Sequence, residues 1–481
     1  MVDLRPVGYV TGTIVASLGA AMLLPMIADL WDRSGNAAAF AEGAIFSLLF
    51  GIFLTLSCRG RSGGLTPRQG FLMTAAIWTI LPVFAALPLV LGAPHVRLID
   101  AYFEAVSGLT TTGASVFVGI ESLPRGVTLW RSLLNWLGGL GIAFIAMIFL
   151  PLLRVGGMQF FRTEGFDTFG KVLPRATDIA RELALVYVLL TLACMASYAI
   201  AGMPAFEAVA HGLSTISTGG FSPRADSFSG YAPQVHYVAI LYMLLGSFPY
   251  IRYVQLLRGH AGPLWTDAQV RGYLLWIGVA ALGVAGWRVL TSLEPPEPAF
   301  RETLFNLVSI MSSSGFGTGD FARWGSFAVI VAMWLGLIGA CSGSSAAGLS
   351  VFRVQVMFAA LAAAIRRQHA PHRVELMRYQ GRAVGQDTLD AIILYLGAFL
   401  LAFGISALLL VEFGLDMESA IFAAWTAIAN IGYGFGPVLE RTGTFIDLSD
   451  GAKLVMILDM ILGRLSLLAI LVLAMPRFWQ S

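Results

Sequence analysis

One pattern occurs four times along this chain: a short apolar segment followed by a loop of polar residues that ends in a glycine. The first copy runs from Leu98 to Leu109 and continues through three threonines to Gly113. As a helix, its roughly 12 residues would span only about 18 Å, which is too short to cross a bilayer. Polar backbone at membrane depth is tolerated only inside protein or beside water. A half-helix followed by such a loop therefore indicates a site within the membrane.

The other three copies of this pattern end at Gly219, Gly315 and Gly432. The pattern thus returns roughly every 100 residues, and repetition at a long period indicates a chain built from repeated structural units. Each unit is predicted to contain a membrane helix, the half-helix with its loop, and a second membrane helix.

The composition sets the class of protein. Hydrophobic residues make up 57% of the 481 residues and charged residues only 12%, with a mean hydropathy of +0.78. Soluble proteins carry about 25% charged residues, so this chain is predicted to be an integral membrane protein. The net charge of +2 is too small to indicate a nucleic-acid partner. Cys58, Cys194 and Cys341 lie far apart and show neither a disulfide framework nor metal-ligand spacing.

The predicted architecture is all-α, with four such repeats around one pseudo-fourfold pore and an additional N-terminal helix pair. The predicted boundaries are 1–66 for the helix pair and 67–170, 171–262, 263–384 and 385–481 for repeats one to four.

The basic residues predict the orientation. Arg and Lys are concentrated in alternate linkers, as at Arg59, Arg154 and Arg366, and the positive-inside rule places those linkers in the cytoplasm. Both termini are then cytoplasmic, and the half-helices enter the membrane from the outside.

Four such loops suit a cation. Backbone carbonyls from several loops can replace the hydration shell of an ion on a common axis, and glycine allows the backbone angles that this needs. The half-helices would point their C-terminal, negative ends at that axis, which favours cations over anions. The alternative is that these glycine-rich segments only allow helices to pack closely.

Two further features lie in the second half of the chain. The apolar run from Phe327 to Ile365 is too long for one straight span, and the small residues from Ile338 to Leu349 interrupt it. This interruption is either a movable gate or a close-packing kink. Arg464 is predicted in the middle of the last helix, where a charge is costly and usually functional. It would bond carbonyls of the interruption, form an electrostatic barrier, or pair with nearby Asp459.

The sequence gives no sign of catalysis. The six histidines lack metalloprotease spacing, and no phosphate-binding loop or dinucleotide fingerprint is present. We expect no enzyme activity and no cofactor bound by the chain. His211, in the second half-helix, is interpreted as a packing or loop-supporting residue rather than a proton carrier. A Na⁺- or H⁺-coupled transporter with a midplane site is the alternative, and it would show inverted halves and mid-span carboxylates.

Taken together, these residues resemble the TrkH/KtrB/HKT superfamily of K⁺ transporters, and the extra N-terminal helix pair is similar to the TrkH type. The resemblance covers nearly the whole chain. It rests on these segments: Ser107 to Ala114, Asn135 to Gly141, Pro151 to Leu153 with Val155 to Gln159, His211 to Ser222, Gly339 to Gly348, and Leu462 to Leu465.

The resemblance implies a K⁺-selective uptake protein with one filter glycine per repeat, preceded by two residues that add carbonyl or hydroxyl ligands. The implied filter residues are Thr111, Thr112 and Gly113; Ser217, Thr218 and Gly219; Ser313, Ser314 and Gly315; and Asn430, Ile431 and Gly432. The implied gate residues are Ala340, Cys341, Ser342, Gly343, Ser344, Ser345 and Gly348, with Arg464 beside them.

The resemblance also implies a homodimer in a bacterial inner membrane, surrounded by lipid and controlled by a cytosolic nucleotide-binding ring of the TrkA type. K⁺ would be the transported ion. Two positions depart from the family pattern. Family gating loops usually end with a Met-Lys pair, where this chain has Leu349 and Ser350. An acid usually follows the arginine motif, where this chain has Ser466.

Overall fold

The computed structural model describes residues 3–60, 66–144, 176–292, 294–369, 377–465, 472–473 and 475–479. Among these residues, six helices are long and apolar enough to cross a membrane, and a bent helix pair makes a seventh candidate span. The predicted all-α membrane fold is confirmed. The Pro151 to Gln159 motif and Ser466 lie outside the described residues.

The N-terminal pair consists of a broken first span and a second helix. The first span contains the helices Arg5–Ala21 and Leu23–Asp32, and the second helix is Ala37–Ser57. The two spans approach closely because Gly51 has no side chain: a Cβ there would lie 2.5 Å from the backbone nitrogen of Ala16. Small residues at such crossings allow helices to pack by direct backbone contact.

One buried carboxylate attaches this pair to the first repeat. Asp29 accepts hydrogen bonds from Asn36 Nδ2 at 3.0 Å and from the backbone N–H of Gly126 at 2.8 Å. Gly126 lies in the first turn of a helix, where N–H groups have no partner within the helix and favour an anion. The helix pair is therefore fixed to the repeats by a polar contact as well as by apolar packing.

The four repeats follow in order. Repeat 1 contains Pro67–Leu91, Leu98–Leu109 and Arg125–Phe144; repeat 2 contains Ala176–Ile200, Ala205–Ile216, Pro233–Gly246 and Tyr250–Leu257; repeat 3 contains Ala268–Ser292, Pro296–Met311, Ser326–Ile338 and Val351–His369; repeat 4 contains Gln386–Glu412, Met417–Ile428 and Asp450–Arg464. The second helix of each of these lists is called half-helix 1 to 4 below.

Short elements connect these helices. They are the helices Ile120–Ser122, Gly262–Thr266, Phe321–Trp324, Pro437–Glu440 and Pro476–Trp479, and the two-residue strands Arg378–Tyr379 and Arg382–Ala383, which pair antiparallel.

Local sequence explains where several of these helices begin. Thr66 starts the first long helix of repeat 1 with a capping box, in which Thr66 Oγ1 accepts the Gln69 N–H and Gln69 Oε1 accepts the Thr66 N–H. Half-helix 3 begins at Pro296, because a proline suits the first turn of a helix. Asp416 caps half-helix 4 by accepting the Ser419 N–H, which lowers the pKa of its carboxyl group.

The half-helices and the long helices differ in their surroundings. Half-helix 1 buries nine of its 12 residues. On the long helix Gln386–Glu412, by contrast, Leu394, Leu401 and Leu408 are 64%, 68% and 70% exposed. An apolar face of this kind is stable against lipid tails, so the long helices form the outer wall and the half-helices lie inside it.

Two predicted helices differ from the structure. The apolar run from Val235 to Leu257 predicts one continuous helix, but the structure breaks it at residues 247–249, where the chain turns by 92°. Pro249 cannot continue a helix and restricts the residue before it, which accounts for the break. The last helix of repeat 4 ends at Arg464, so this residue lies at a helix end and not in mid-helix as predicted.

Candidate functional site

The four polar loops adopt the same backbone path. They are called loop 1 (110–113), loop 2 (217–220), loop 3 (312–315) and loop 4 (429–432). Each begins directly after the last residue of a half-helix. The second residue of each loop has a positive φ although none is glycine, with values of 52° at Thr111, 52° at Thr218, 60° at Ser313 and 49° at Asn430. Such residues are uncommon and indicate a backbone that its surroundings hold in place.

The fourth residue of each loop is a glycine with positive φ. The angles are 81° at Gly113, 80° at Gly220, 69° at Gly315 and 83° at Gly432. The sequence had aligned Gly219 with the other three glycines, and that alignment is wrong by one residue. Gly219 corresponds instead to the residue before each glycine, because its N–H bonds the carbonyl of Ser214 as the Thr112 N–H bonds that of Ser107.

The predicted members of loop 2 therefore move by one position. Thr218 and Gly219 are the two residues before Gly220, the fourth residue of loop 2. Ser217 is equivalent to Thr110, at the start of loop 1. In the other three loops, the predicted filter residues occupy equivalent backbone positions. Because loop 2 contains two adjacent glycines, the sequence does not show which of them aligns with Gly113. The last residue of half-helix 2, Ile216, decides it.

The four loops form a closed ring. A Cβ on Gly113 would lie 2.6 Å from the carbonyl oxygen of Gly219, and one on Gly220 would lie 2.2 Å from that of Ser314. Loops 3 and 4 continue the series: a Cβ on Gly315 would lie 2.0 Å from the oxygen of Ile431.

A Cβ on Gly432 would lie 2.2 Å from the oxygen of Thr112, and this contact returns the series to loop 1. Each glycine thus abuts the carbonyl that precedes the glycine of the next loop. A side chain at any of the four positions would collide with backbone, so the ring can close only with glycine at each of them.

Loop 4 differs from the others in having an amide at its second position. Asn430 Nδ2 donates to Thr112 Oγ1 at 2.9 Å and to the carbonyl of Met460 at 2.8 Å. This side chain ties loop 4 to loop 1 and to the last helix of repeat 4. Asparagine also tolerates the left-handed backbone better than most residues do.

The interruption in repeat 3 forms a compact loop, called the inner loop (residues 339–350). It leaves Ser326–Ile338 and returns to Val351–His369, and its two ends are paired by the hydrogen bond from the Val351 N–H to the Ala340 carbonyl at 2.9 Å. Gly348 packs on Gly339, where a Cβ on Gly348 would lie 2.9 Å from the Gly339 Cα. All seven predicted gate residues of repeat 3 lie in this loop.

The inner loop contacts the ring from the side on which the half-helices end. Ser345 Oγ donates to the carbonyl of Ile216, the last residue of half-helix 2, at 3.0 Å. The Ala347 N–H donates to Ser313 Oγ in loop 3 at 3.2 Å. Thr218 Oγ1 lies 3.3 Å from Ser345 Oγ. The loop therefore lies directly against loops 2 and 3.

Arg464 bonds this inner loop. Its Nη2 donates to the carbonyl of Ser345 at 2.7 Å, which confirms the predicted bond to a carbonyl of the interruption. Its Nε and Nη1 are buried and have no hydrogen-bond partner among the described residues. Asp459, the alternative partner considered from the sequence, bonds Ser406 Oγ instead. The guanidinium thus joins repeat 4 to the inner loop of repeat 3.

Sequence reasoning missed the second support of the inner loop. At the bend, residues 247–249, the Ser247 carbonyl accepts a hydrogen bond from the Cys341 N–H at 3.3 Å. The Tyr250 N–H donates to the Gly343 carbonyl at 2.9 Å, and Gln269 Oε1 accepts the Ser342 N–H at 2.8 Å. The remaining gate residue, Ser344, bonds within the loop. The proline at 249 was the available signal for this bend.

Comparison with known proteins agrees with this geometry. The family model TrkH, described as a cation transport protein, matches residues 36–481. The chain is 35% identical over 478 residues to the Trk system potassium uptake protein TrkI of Halomonas elongata, covering 99% of this chain and 97% of that relative. It is 34% identical over 487 residues to the Trk system potassium uptake protein TrkH of Salmonella typhimurium, with 99% of each covered. The crystal structure of the potassium transporter TrkH from Vibrio parahaemolyticus matches with a TM-score of 0.92 at 30% identity, covering 99% of this chain and 100% of that one.

Proposed function

Because the chain belongs to the TrkH family of cation transport proteins, we propose that it takes up K⁺ through the ring of loops 1 to 4. The observation that carries this proposal is the closed ring, in which the carbonyl before each glycine lies at a junction between neighbouring loops. Relatives of the chain are named as potassium uptake proteins. The protein is a transporter and not an enzyme.

The proposed filter consists of the four glycines and the two residues before each of them. A bare cation needs several oxygen ligands to replace its hydration shell, and the carbonyls of Thr112, Gly219, Ser314 and Ile431 supply one from each loop. The C-terminal ends of four half-helices surround this place, and their partial negative charge favours a cation there. The second-position residues, Thr111, Thr218, Ser313 and Asn430, lie at the inner end of the same loops.

The proposed gate is the inner loop together with Arg464. The bonds from Ser345 to Ile216 and from Arg464 to Ser345 hold this loop against the ring. Breaking these two bonds would detach Ser345 from half-helix 2 and from the last helix of repeat 4. The buried positive charge of Arg464 would also repel a cation that leaves the ring. Because Arg464 bonds Ser345, a movement of the inner loop would also change the position of this charge.

The rest of the proposal concerns the setting of the chain. The relatives are named as components of a Trk system, and we place this chain in a bacterial inner membrane with both termini cytoplasmic and the half-helices entering from outside. In this arrangement it acts as a homodimer, and a cytosolic nucleotide-binding ring of the TrkA type acts on the inner loop. The proposed repeat boundaries remain 67–170, 171–262, 263–384 and 385–481.

Coupled symport with Na⁺ or H⁺ is the second candidate. The observation that favours it is Asp459, a buried carboxyl group in the last helix of repeat 4 that is hydrogen-bonded to Ser406. Buried carboxyl groups in membrane helices often mark ion or proton pathways. An imposed pH or Na⁺ gradient would drive K⁺ uptake in the wild type and not in Asp459→Asn if this candidate holds.

The test of the proposed function is radioactive rubidium uptake into proteoliposomes, with K⁺ or Na⁺ as competitor. The wild type is compared with Gly113→Ser, whose side chain would meet the Gly219 carbonyl. The matched control is Gly414→Ser, which also has a positive φ but has open space around it. We expect K⁺ to compete and Na⁺ not to compete in the wild type and the control, and Gly113→Ser to lose this preference. Equal competition by both ions in the wild type would contradict the proposal.

A further inference from the structure

The fifth residue before the end of each half-helix occupies the same place in the four repeats. These residues are Glu104, His211, Asn306 and Ala423. All four are buried. Three of them can form hydrogen bonds through the side chain, and the alanine cannot.

In repeats 1 and 2, this side chain holds the segment that leaves the ring glycine. Glu104 Oε2 accepts the Val116 N–H at 3.0 Å, three residues after Gly113. His211 Nε2 lies 3.1 Å from Ser222 Oγ, two residues after Gly220. The loop-supporting role that the sequence favours for His211 is consistent with this bond.

In repeat 3, Asn306 performs the same task with both ends of its amide. Its Nδ2 donates to the Thr318 carbonyl at 2.8 Å, and its Oδ1 accepts the Thr318 N–H at 3.2 Å. Thr318 is three residues after Gly315. A different residue type therefore supports the departing segment in each of the first three repeats.

Repeat 4 has no such bond from Ala423, and another side chain replaces it. Tyr433, which directly follows Gly432, donates its hydroxyl to Asn306 Oδ1 at 3.0 Å. Its ring stacks on Phe435 of the same segment with 5.1 Å between centroids and lies 5.8 Å from Phe321 of repeat 3, so the ring contacts both repeats. The bond that supports the fourth segment thus comes from the neighbouring repeat.

Resting on the proposed function, we propose that Tyr433 is a positioning residue for ion selection. Its hydroxyl holds the outer end of loop 4 against Asn306 and thereby keeps the fourth quarter of the ring at the distance that the other three quarters maintain by themselves. The glycines on both sides of Tyr433 allow its backbone many angles, so this hydroxyl adds to the restraints that the packing of Phe435 and the Asn430 side chain place on the segment. Ser419 Oγ bonds the chain only further on, at the Val438 N–H.

The test is Tyr433→Phe, which removes the hydroxyl and keeps the ring. We measure rubidium uptake into proteoliposomes and the concentrations of K⁺ and Na⁺ that halve it. Loss of one neutral hydrogen bond changes an equilibrium by about two- to tenfold, so we expect the preference for K⁺ over Na⁺ to fall by that factor. Total uptake at saturating rubidium stays near the wild-type level, because no ligand of the ion is removed.

Two further variants separate positioning from general damage. Tyr237→Phe removes an exposed hydroxyl that donates to Glu297 Oε1 at 3.1 Å, away from the ring, and keeps the wild-type preference. Asn306→Ala loses the support of both repeats 3 and 4, so adding Tyr433→Phe to it has little additional effect on the preference.

The outcomes also distinguish this inference from the proposed function. A wild type without preference for K⁺ would overturn both. A selective wild type whose preference is unchanged in Tyr433→Phe would overturn the role of Tyr433 and leave the ring proposal intact. Fully additive losses in the double variant would likewise show that Tyr433 does not act through Asn306.

Discussion

The ring and the inner loop follow opposite rules of construction. The ring repeats one backbone path four times, with a left-handed residue and a glycine at the same positions in every loop. The inner loop, by contrast, lies in repeat 3. The arginine that bonds this loop, Arg464, is at the end of the last helix of repeat 4. Symmetry suits a task that needs equal ligands around an axis, whereas a single off-axis loop suits a task that needs movement. The comparison is consistent with our proposal that the ring selects the ion and that repeats 3 and 4 control its passage.

The two regions also differ in how they are held. Each ring glycine lies so close to a carbonyl of the next loop that an added Cβ would collide with it. The ring therefore cannot relax at one position without moving its neighbours. The inner loop has buried apolar residues such as Leu349, and separate hydrogen bonds, such as those from Ser345 and Ala347, join it to the ring and half-helix 2. Each of these bonds contributes about 0.5–1.5 kcal/mol, so they can be lost one at a time. Ring substitutions should change which ion passes, and inner-loop substitutions should change how much passes.

The largest effect is expected at the second loop, where the register decides between two glycines. Gly220→Ala places a methyl group on a left-handed residue and against the Ser314 carbonyl, so K⁺ preference in the rubidium assay should fall by about tenfold or more. Gly219→Ala meets the side chain of Asn135 instead. The double variant Gly219→Ala with Asn135→Gly should recover much of the preference, with Asn135→Gly alone as control. Recovery in the Gly220→Ala variant with the same Asn135→Gly change would contradict this register.

An effect of similar size but opposite kind, on the amount of uptake and not on preference, is expected for Arg464→Ala. The variant loses a charged hydrogen bond to the Ser345 carbonyl, a contact of about 1.5–3 kcal/mol, so the open fraction of the inner loop should rise about tenfold or more. Rubidium uptake by the chain alone should increase while K⁺ preference stays at the wild-type value. Arg323→Ala, which removes an exposed ion pair with Asp320, is the control. A change of preference in Arg464→Ala would show that ring and inner loop are not separable.

A pair of neighbouring serines sharpens the same comparison. Ser345→Ala removes the donor to the Ile216 carbonyl and should raise uptake by about two- to tenfold, the range for one neutral hydrogen bond. Ser344→Ala removes two bonds within the inner loop, from Ser344 Oγ to the Cys341 carbonyl and from the Ala346 N–H to Ser344 Oγ, and should leave uptake near wild type. Equal effects of the two changes would mean that the contact with half-helix 2 does not hold the loop.

The smallest effect is expected at the start of half-helix 4, far from both regions. Asp416→Ala removes the N-cap of this helix and should lower the free energy of unfolding by about 1 kcal/mol, measured as a lower Tm in detergent. The Ser419 N–H lowers the pKa of the Asp416 carboxyl group. The ionised carboxylate therefore stabilises the folded protein at pH values above the ordinary carboxyl pKa, and this stabilisation is lost as the pH falls. The Tm difference between wild type and variant should therefore shrink in acid, while K⁺ preference at neutral pH is unchanged.

The sequence predicted the repeats because their signal is local. A half-helix with a polar loop is visible from length, apolar character and one glycine, and three of the four predicted glycines lie at the ring junctions. Loop 2 was misaligned because Gly219 and Gly220 are adjacent, and only the end of half-helix 2 at Ile216 decides between them. Helix ends depend on hydrogen bonds, which apolar patterning does not encode.

The contacts between repeats could not be read from the chain. A bond from Arg464 to a carbonyl of the interruption was one of the alternatives that the sequence left open, but the bend at Pro249 and its support of the inner loop were not predicted. The bond from Tyr433 to Asn306 joins residues on different repeats through a single hydroxyl. Such pairs have no periodicity or spacing, so they appear only when tertiary packing is known.

The measurement that tests the ring most directly is the K⁺ over Na⁺ preference of four single variants, Gly113→Ser, Gly220→Ser, Gly315→Ser and Gly432→Ser, in one flux assay. Because each glycine abuts a carbonyl of the next loop, all four should lose most of the wild-type preference. One variant that keeps the full preference would show that its loop does not belong to the filter and that the pseudo-fourfold ring does not select the ion.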